Sequence, residues 1–341
     1  MALIANLRKG IEHIAFGNTL LPQEFTVGFP DPQSEISLWL HGMGTPLDVT
    51  RHETTVCCEP FVVCIAFSSG QEPNQRWLNK LSLKFCERGE KKRLLGEIGL
   101  REAINIPRIT VGETTLLFFA VRSSSNYCLS NMRLGAHYLL HEYSLKRSVN
   151  SSGMVMSFLE RRAAIVTFIR PHPISLVSVT DGACGNVFTM NLMGELGAGR
   201  FGFALKDSRT PAHLVERVGR LALSTVPLYQ SHFVFEFAAN HFKQSIEWNH
   251  LPFKTRQSRL FHIPVPIFAA RVREMEVETI RKVGSHNFFV ARVVSDETFD
   301  DGEIVCAIHG FYQVWRMQGR EVDLKASVAQ HWINKRGPCV S

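Results

Sequence analysis

Charge is sparse in this chain, and no stretch of it is both long and apolar. Asp, Glu, Lys and Arg make up 20% of its 341 residues. No apolar run approaches the roughly 20 residues that a membrane span needs, so no membrane is expected. The eight cysteines stand scattered at 57, 58, 64, 86, 128, 184, 306 and 339, with no C-x-x-C pair among them. Met1 to Asn18 mixes Arg8, Lys9 and Glu12 into its apolar residues, which does not fit a secretory signal. Reduced thiols and a cytoplasmic location are therefore expected. The short basic clusters Glu90-Lys91-Lys92-Arg93 and Glu160-Arg161-Arg162 include acids and come with no nucleic-acid motif. They read as solvated faces, and nucleic acid is not an expected partner. No G-x-G-x-x-G is read after a strand, so a dedicated Rossmann domain is not expected either.

What is present suffices for two cores: 45% of the residues are hydrophobic. A net charge of +7 gives a basic surface suited to anionic ligands. In the first half, strands are predicted over Ile36–Leu40, Phe61–Phe67, Leu78–Cys86, Leu94–Leu100 and Thr114–Val121. Helical spacing is predicted over Arg8–Phe16 and Met132–Lys146. Ser148 to Gly153 reads as a linker, dividing a β-rich domain (residues 1–150) from a second domain (151–320) and a tail (321–341). Two constellations in the first half invite a functional reading. Trp39-Leu40-His41-Gly42-Met43-Gly44 lacks the lysine–hydroxyl pair of a phosphate loop and reads as a glycine turn. His41, His52, Cys57 and Cys58 could be metal ligands, but adjacent cysteines on a strand point to opposite faces. No metal is expected.

The second half centres on Pro171–Gly219. A strand over Ile174–Thr180 precedes an extended run carrying Asn186, Thr189 and Asn191, and a third run covers Arg200–Lys206. Then comes Lys206-Asp207-Ser208-Arg209-Thr210-Pro211. Thr210 suits a helix N-cap and Pro211 a first helical position. The free amides and positive dipole end of that helix then lie beside two cations and two hydroxyls, which is what a phosphate site needs. Ile267–Val277 is predicted as a long strand with Thr279–Val283 as its hairpin partner, and Ile304–Arg316 as a closing strand bent at Gly310.

In order and spacing, His172-Pro173-Ile174-Ser175-Leu176-Val177-Ser178-Val179, Asn186-Val187-Phe188-Thr189, Ser208-Arg209-Thr210 and Gly284-Ser285-His286 resemble the flavin reductase-like proteins, of the flavoredoxin-type branch. The resemblance covers about Phe158 to Arg316. Where that family has a proline-rich segment, this chain has Gly194 to Gly199. The resemblance implies a mainly β protein with some helices: a C-terminal FMN-binding split β-barrel of Greek-key type beside a separate β-rich N-terminal domain. It implies FMN held by Asn186, Thr189, Asn191, Lys206, Ser208, Arg209 and Thr210. His286 would be the catalytic residue beside the flavin, with Tyr312 also near it. NAD(P)H would be the co-substrate, the protein a homodimeric flavin reductase, and a partner oxygenase one recipient of its reduced flavin. The alternative is a non-enzymatic FMN-binding sensor or partner-binding protein.

Overall fold

The computed structural model describes residues 24–147, 156–182, 184–318 and 326–327. The predicted helix at Arg8–Phe16, the linker at Ser148–Gly153 and all of the tail except 326–327 lie outside them. The first half forms β1 (Glu24–Phe29), β2 (Ile36–His41), β3 (Leu47–Asp48), β4 (Glu53–Cys58), β5 (Phe61–Ser68), β6 (Ser82–Glu87), β7 (Leu94–Glu102), β8 (Ile109–Val111), β9 (Thr114–Asn126) and α1 (Asn131–Arg147). The second half begins with α2 (Phe158–Thr167), β10 (His172–Pro173), β11 (Ser175–Thr180), β12 (Gly185–Met190), β13 (Met193–Glu195), β14 (Arg200–Lys206), α3 (Thr210–Val218) and β15 (Arg220–Thr225). It continues through α4 (Ser231–Glu236), β16 (Thr255–Gln257), β17 (Pro264–Pro266), β18 (Arg271–Val283), β19 (His286–Thr298), β20 (Ile304–His309), α5 (Gly310–Met317) and β21 (Ala326–Ser327). The protein is mainly β with some helices, as expected.

The second half carries a seven-stranded sheet in the order β12-β11-β15-β18-β19-β14-β13. Its two outermost strands, β12 and β13, follow each other in the chain with two residues between them. The sheet must therefore curl until its ends meet, which makes it a barrel rather than an open layer. Its interior is filled by Val177, Phe188, Phe203, Leu223, Met275 and Phe289, and Leu214 and Val215 of α3 pack into the same core. Phe203 and Phe289 stack with ring centroids 5.0 Å apart.

Several details differ from the sequence reading, and the strands expected from Leu78 and Ile267 begin only at Ser82 and Arg271. Thr279–Val283 is not a hairpin partner but the continuation of β18, which bends at irregularities near Glu274/Met275 and Val277/Thr279 and pairs with β19 throughout. The closing strand stops at His309. There Nδ1 of His309 accepts a hydrogen bond from Phe311 N (3.1 Å), so Gly310 opens a helix instead of bending a strand. Gly197-Ala198-Gly199-Arg200-Phe201-Gly202 does spell G-x-G-x-x-G directly after β13. It joins two antiparallel strands, so no helix N-terminus faces it and the dinucleotide chemistry is missing.

The first half's strands form a sheet in the order β3-β2-β6-β7-β9-β5-β4, with β8 on β9. Every residue of β5 but the last is buried, because this strand is covered on both faces. One cover is α2, whose Ser157–Glu160 capping box fixes its start and whose Glu160 Oε1 accepts from Phe61 N at 3.0 Å. The other is the barrel. Val56, Cys57, Val62, Cys64, Leu116 and Phe118 share one core with Leu196, Ala204, Val283, Phe288 and Val290. Phe118 meets Phe288 edge-on at 5.8 Å. β1 pairs along its whole length with β20, and Ile308, Phe311 and Tyr312 sit in the first half's own core. Tyr312 donates its hydroxyl hydrogen to Glu35 and is not beside the barrel residues proposed for a flavin.

Candidate functional site

The Lys206–Pro211 segment enters α3 as predicted, but one residue earlier. Arg209 is the N-cap, with no side-chain capping bond, so Thr210 and Pro211 are the first two helical positions. The other end stops at Gly219, whose φ of 68° only glycine adopts freely and whose N–H closes on Val215 O at 2.8 Å. Among the described residues the side chains of Lys206, Ser208 and Thr210 make no hydrogen bond or ion pair within the protein. Ser208 is exposed and the other two are half-buried. Arg209 lays its guanidinium 3.8 Å over the ring of Phe242, a contact worth about 0.5–1 kcal/mol at an exposed site. The neighbouring Asp207 is committed: its carboxylate pairs with Lys282 and its N–H donates to Ser285 O at 3.0 Å.

That last bond brings the Gly284-Ser285-His286 turn to the same end of the barrel. Lys206 lies directly across from His286 in the β14–β19 pairing. Gly284 is required here. Its φ is 52°, and a Cβ would stand 2.2 Å from Glu59 O in the first half. His286 is buried, 4% exposed. Its Nδ1 lies 3.0 Å from Ser285 Oγ and 3.4 Å from Cys57 Sγ. The imidazole thus faces β4 and not an open face of the barrel. Burial first, and Lys206 second, push its pKa down to about 4, so it is neutral near neutral pH.

Asn186 and Thr189 lie on β12, and Asn191 follows it. Asn186 is fully buried and its Nδ2 donates to Asn240 O (3.0 Å) and Lys243 O (3.1 Å). Its Oδ1 has no partner. Thr189 Oγ1 donates to Val234 O at 2.6 Å, and His241 Nε2 donates to Thr189 O at 2.7 Å. Both side chains therefore fasten the 231–243 segment onto β12. Asn191, at the corner before β13, is half-buried and makes no side-chain bond among the described residues. Phe242 of the fastened segment is the ring under Arg209, so the two groups of residues meet through it. The α3-entry loop and the His286 turn are joined through the Lys206–His286 strand pairing and the Asp207–Ser285 bond; Asn186 and Thr189 reach the loop only through 231–243. Sequence reasoning singled out Cys57 only as a metal candidate, and missed Asn240 and the contacts Cys57–His286 and Arg209–Phe242, which have no local motif and are placed by the tertiary fold alone.

The metal candidates are not gathered: Cys57 turns to His286, while the His52 ring lies against Gly197. Among the described residues no group of three or more His, Cys, Asp or Glu side chains could hold a metal ion. No helix among them is long and apolar enough to cross a membrane.

The buried histidines carry a testable consequence. Burial lowers His286 and His137 to about 4 and His172 to about 3, from 6.5. Below pH 6.5 the unfolded chain then binds more protons than the folded one. Their contribution to stability is complete above 6.5 and is lost as the pH falls towards 4. One unit of difference is about 1.4 kcal/mol. The unfolding free energy from urea titration should fall by several kcal/mol between about pH 7 and pH 5, lowering the midpoint accordingly; a flat profile would show that these imidazoles are not neutral in the fold.

No family model matches the chain, and no curated relative matches it. Solved structures do resemble part of it. One is an FMN-binding protein from Thermus thermophilus with bound p-hydroxybenzaldehyde, at 22% identity, covering 38% of this chain and 72% of that one with a TM-score of 0.34. Another is an NADH:FAD oxidoreductase of Streptomyces globisporus C-1027, at 14% identity over 44% of this chain and 89% of that one, TM-score 0.40. A third is the styrene monooxygenase flavin reductase of Pseudomonas putida S12, at 21% identity over 40% and 87%, TM-score 0.34. The likeness is to flavin reductases and FMN-binding proteins and is confined to part of the chain.

Proposed function

We propose that the chain binds FMN and acts as a flavin reductase-like oxidoreductase that takes its electrons from NAD(P)H. The observation that supports this best is the loop at the start of α3. Lys206, Ser208 and Thr210 have donors with no partner among the described residues, at the positive end of α3, where Arg209 N and Ala212 N are bonded to Lys206 O and Arg209 O, Pro211 has no N–H, and the Thr210 amide is left over. A phosphate dianion is the ligand such a set fits. Arg209, held flat by Phe242, would meet it from the side. Asn191 is free to bond the rest of the cofactor, and Asn186 and Thr189 act through the segment they fasten. A bound flavin supplies the hydride chemistry; this chain's residues bind and orient it. His286, neutral and fixed by Ser285, holds the turn beside Lys206 in one position. The protein is proposed to be a cytoplasmic homodimer that passes reduced flavin to a partner oxygenase.

A second reading, an FMN-dependent sensor with no turnover, is favoured by the burial of His286 against Cys57, which keeps its ring from an arriving nicotinamide. One preparation separates the readings. Arg209→Ala should weaken FMN by about 10-fold or more, the value of a charge-assisted bond, and riboflavin by less than about twofold. Equal losses would remove the phosphate from the α3 loop. Rapid bleaching of the loaded protein by NADH or NADPH supports the reductase; a flavin that stays oxidised supports the sensor.

A further inference from the structure

At the opposite end of the barrel a cavity of about 340 Å³ opens between the two halves. His286 begins β19 and Thr298, on the cavity wall, ends it. At about 3.4 Å per residue the two ends of this strand are on the order of 40 Å apart, so this is not the α3 loop's site. Loops before β2 and β4 form one wall, and the mouth of the barrel forms the other. Barrel mouths and seams between folded units are where small-molecule sites occur.

The wall holds four arginines and five carboxylates. Each arginine is already engaged. Arg51 pairs with Asp31 (3.3 Å) and Glu195 (3.2 Å), and Arg170 with Glu53 (2.6 Å). Arg271 and Arg273 both pair with Asp296, and Arg273 also with Glu195. Each is thus already neutralised by a carboxylate, which weakens its pull on a further anion. Acceptors, in contrast, are left over. Glu53 is 2% exposed and uses only Oε2 on Arg170; its Oε1 is buried and has no hydrogen-bond partner. Oε1 of Gln33, on the same wall, is likewise buried and without a partner. Asp300 and Asp301 stand exposed at the rim, and among the described residues Asp301 makes no ion pair. The lining also has apolar side chains, among them Met193, Phe201 and Leu223.

We propose that this cavity is a binding site for a short aliphatic diamine. One ammonium group would be received by Glu53 and Gln33, the methylenes would lie on Met193, Phe201 and Leu223, and the second ammonium would face Asp300 and Asp301. A buried carboxylate oxygen without a donor is costly, and an ammonium with three N–H groups satisfies it. The carboxylates that already neutralise the arginines, with Asp300 and Asp301 at the rim, disfavour a dicarboxylate.

Calorimetric titration of the full chain with putrescine, n-butylamine and succinate tests it. Putrescine should bind one to one, about tenfold tighter than n-butylamine, which lacks the second ammonium; succinate should give no heat. Asp300→Asn with Asp301→Asn should bring putrescine to the level of n-butylamine and leave n-butylamine unchanged. Glu53→Gln should abolish binding of both amines. Should that variant not fold, Gln33→Leu, on a surface loop, should weaken both amines alike. Binding of succinate in place of the amines overturns the proposal. So does putrescine binding that neither the rim pair nor the Gln33 variant changes.

Discussion

Replacing Glu53 with alanine is expected to destabilise the protein by about 3–5 kcal/mol, because it strands a buried cation. Arg170 and Glu53 have side chains only 5% and 2% exposed and meet at 2.6 Å. Arg170 donates further to Thr50 O (3.2 Å) and Glu53 O (3.4 Å), so it is tied to β4 by backbone as well as by charge. Burial alone pushes the Glu53 carboxyl above its usual range, and Arg170 pulls it back only in part. The pair is thus costly to form and more costly to halve. Taking both out together, as Glu53→Met with Arg170→Met, should recover most of the loss, since two apolar side chains leave no unpaired charge. Urea denaturation of the unaltered protein and both variants measures this. Equal destabilisation by the single and double changes would mean that packing, not charge, holds this seam.

That pair also shows where the sequence stops being informative. The strand runs Phe61–Phe67, Leu94–Leu100 and Thr114–Val121 were legible because apolar β-formers cluster there and turn residues bound them. The α3 start was legible to within one residue, because Thr-Pro after a charged turn is a local signal of helix entry. Glu53 and Arg170 are 117 residues apart, and nothing near either announces the other. The same holds for Cys57 and His286, separated by 229 positions. Asn186 illustrates a subtler limit. Its type and spacing are compatible both with contacting a ligand and with holding a neighbouring segment, and only the placement of Asn240 and Lys243 shows that it does the latter. His309 redirected the closing strand into α5 through a cap that a strand-like apolar pattern, IVCAIHGFYQVWR, conceals.

A fragment starting near Ser151 should fail to fold into a soluble barrel. The Ser-Asn-Gly stretch before it suggests two separable units, but the contacts around the barrel argue for one cooperative fold. Removing the first half takes away β1, the full-length partner of β20. It uncovers Leu196, Val283, Phe288 and Val290, all now buried against β4, β5 and β9. It also uncovers Ile308, Phe311 and Tyr312, whose surroundings are mainly first-half side chains. At about 1.5–3 kcal/mol for each large apolar side chain, the loss is on the order of 10 kcal/mol, comparable with the whole stability of a domain. Backbone fit is lost with it, since Ser285 N donates to Glu59 O at 3.0 Å and Gly284 is shaped to that carbonyl. The fragment is expected to aggregate, or to bind a hydrophobic dye while unfolding without a sharp transition. The intact chain should unfold in a single transition reported alike by Trp39 and Trp77 in the first half and Trp248 in the second. A soluble fragment with a sharp melt, or two separate transitions in the intact chain, would bear out the division into independent domains.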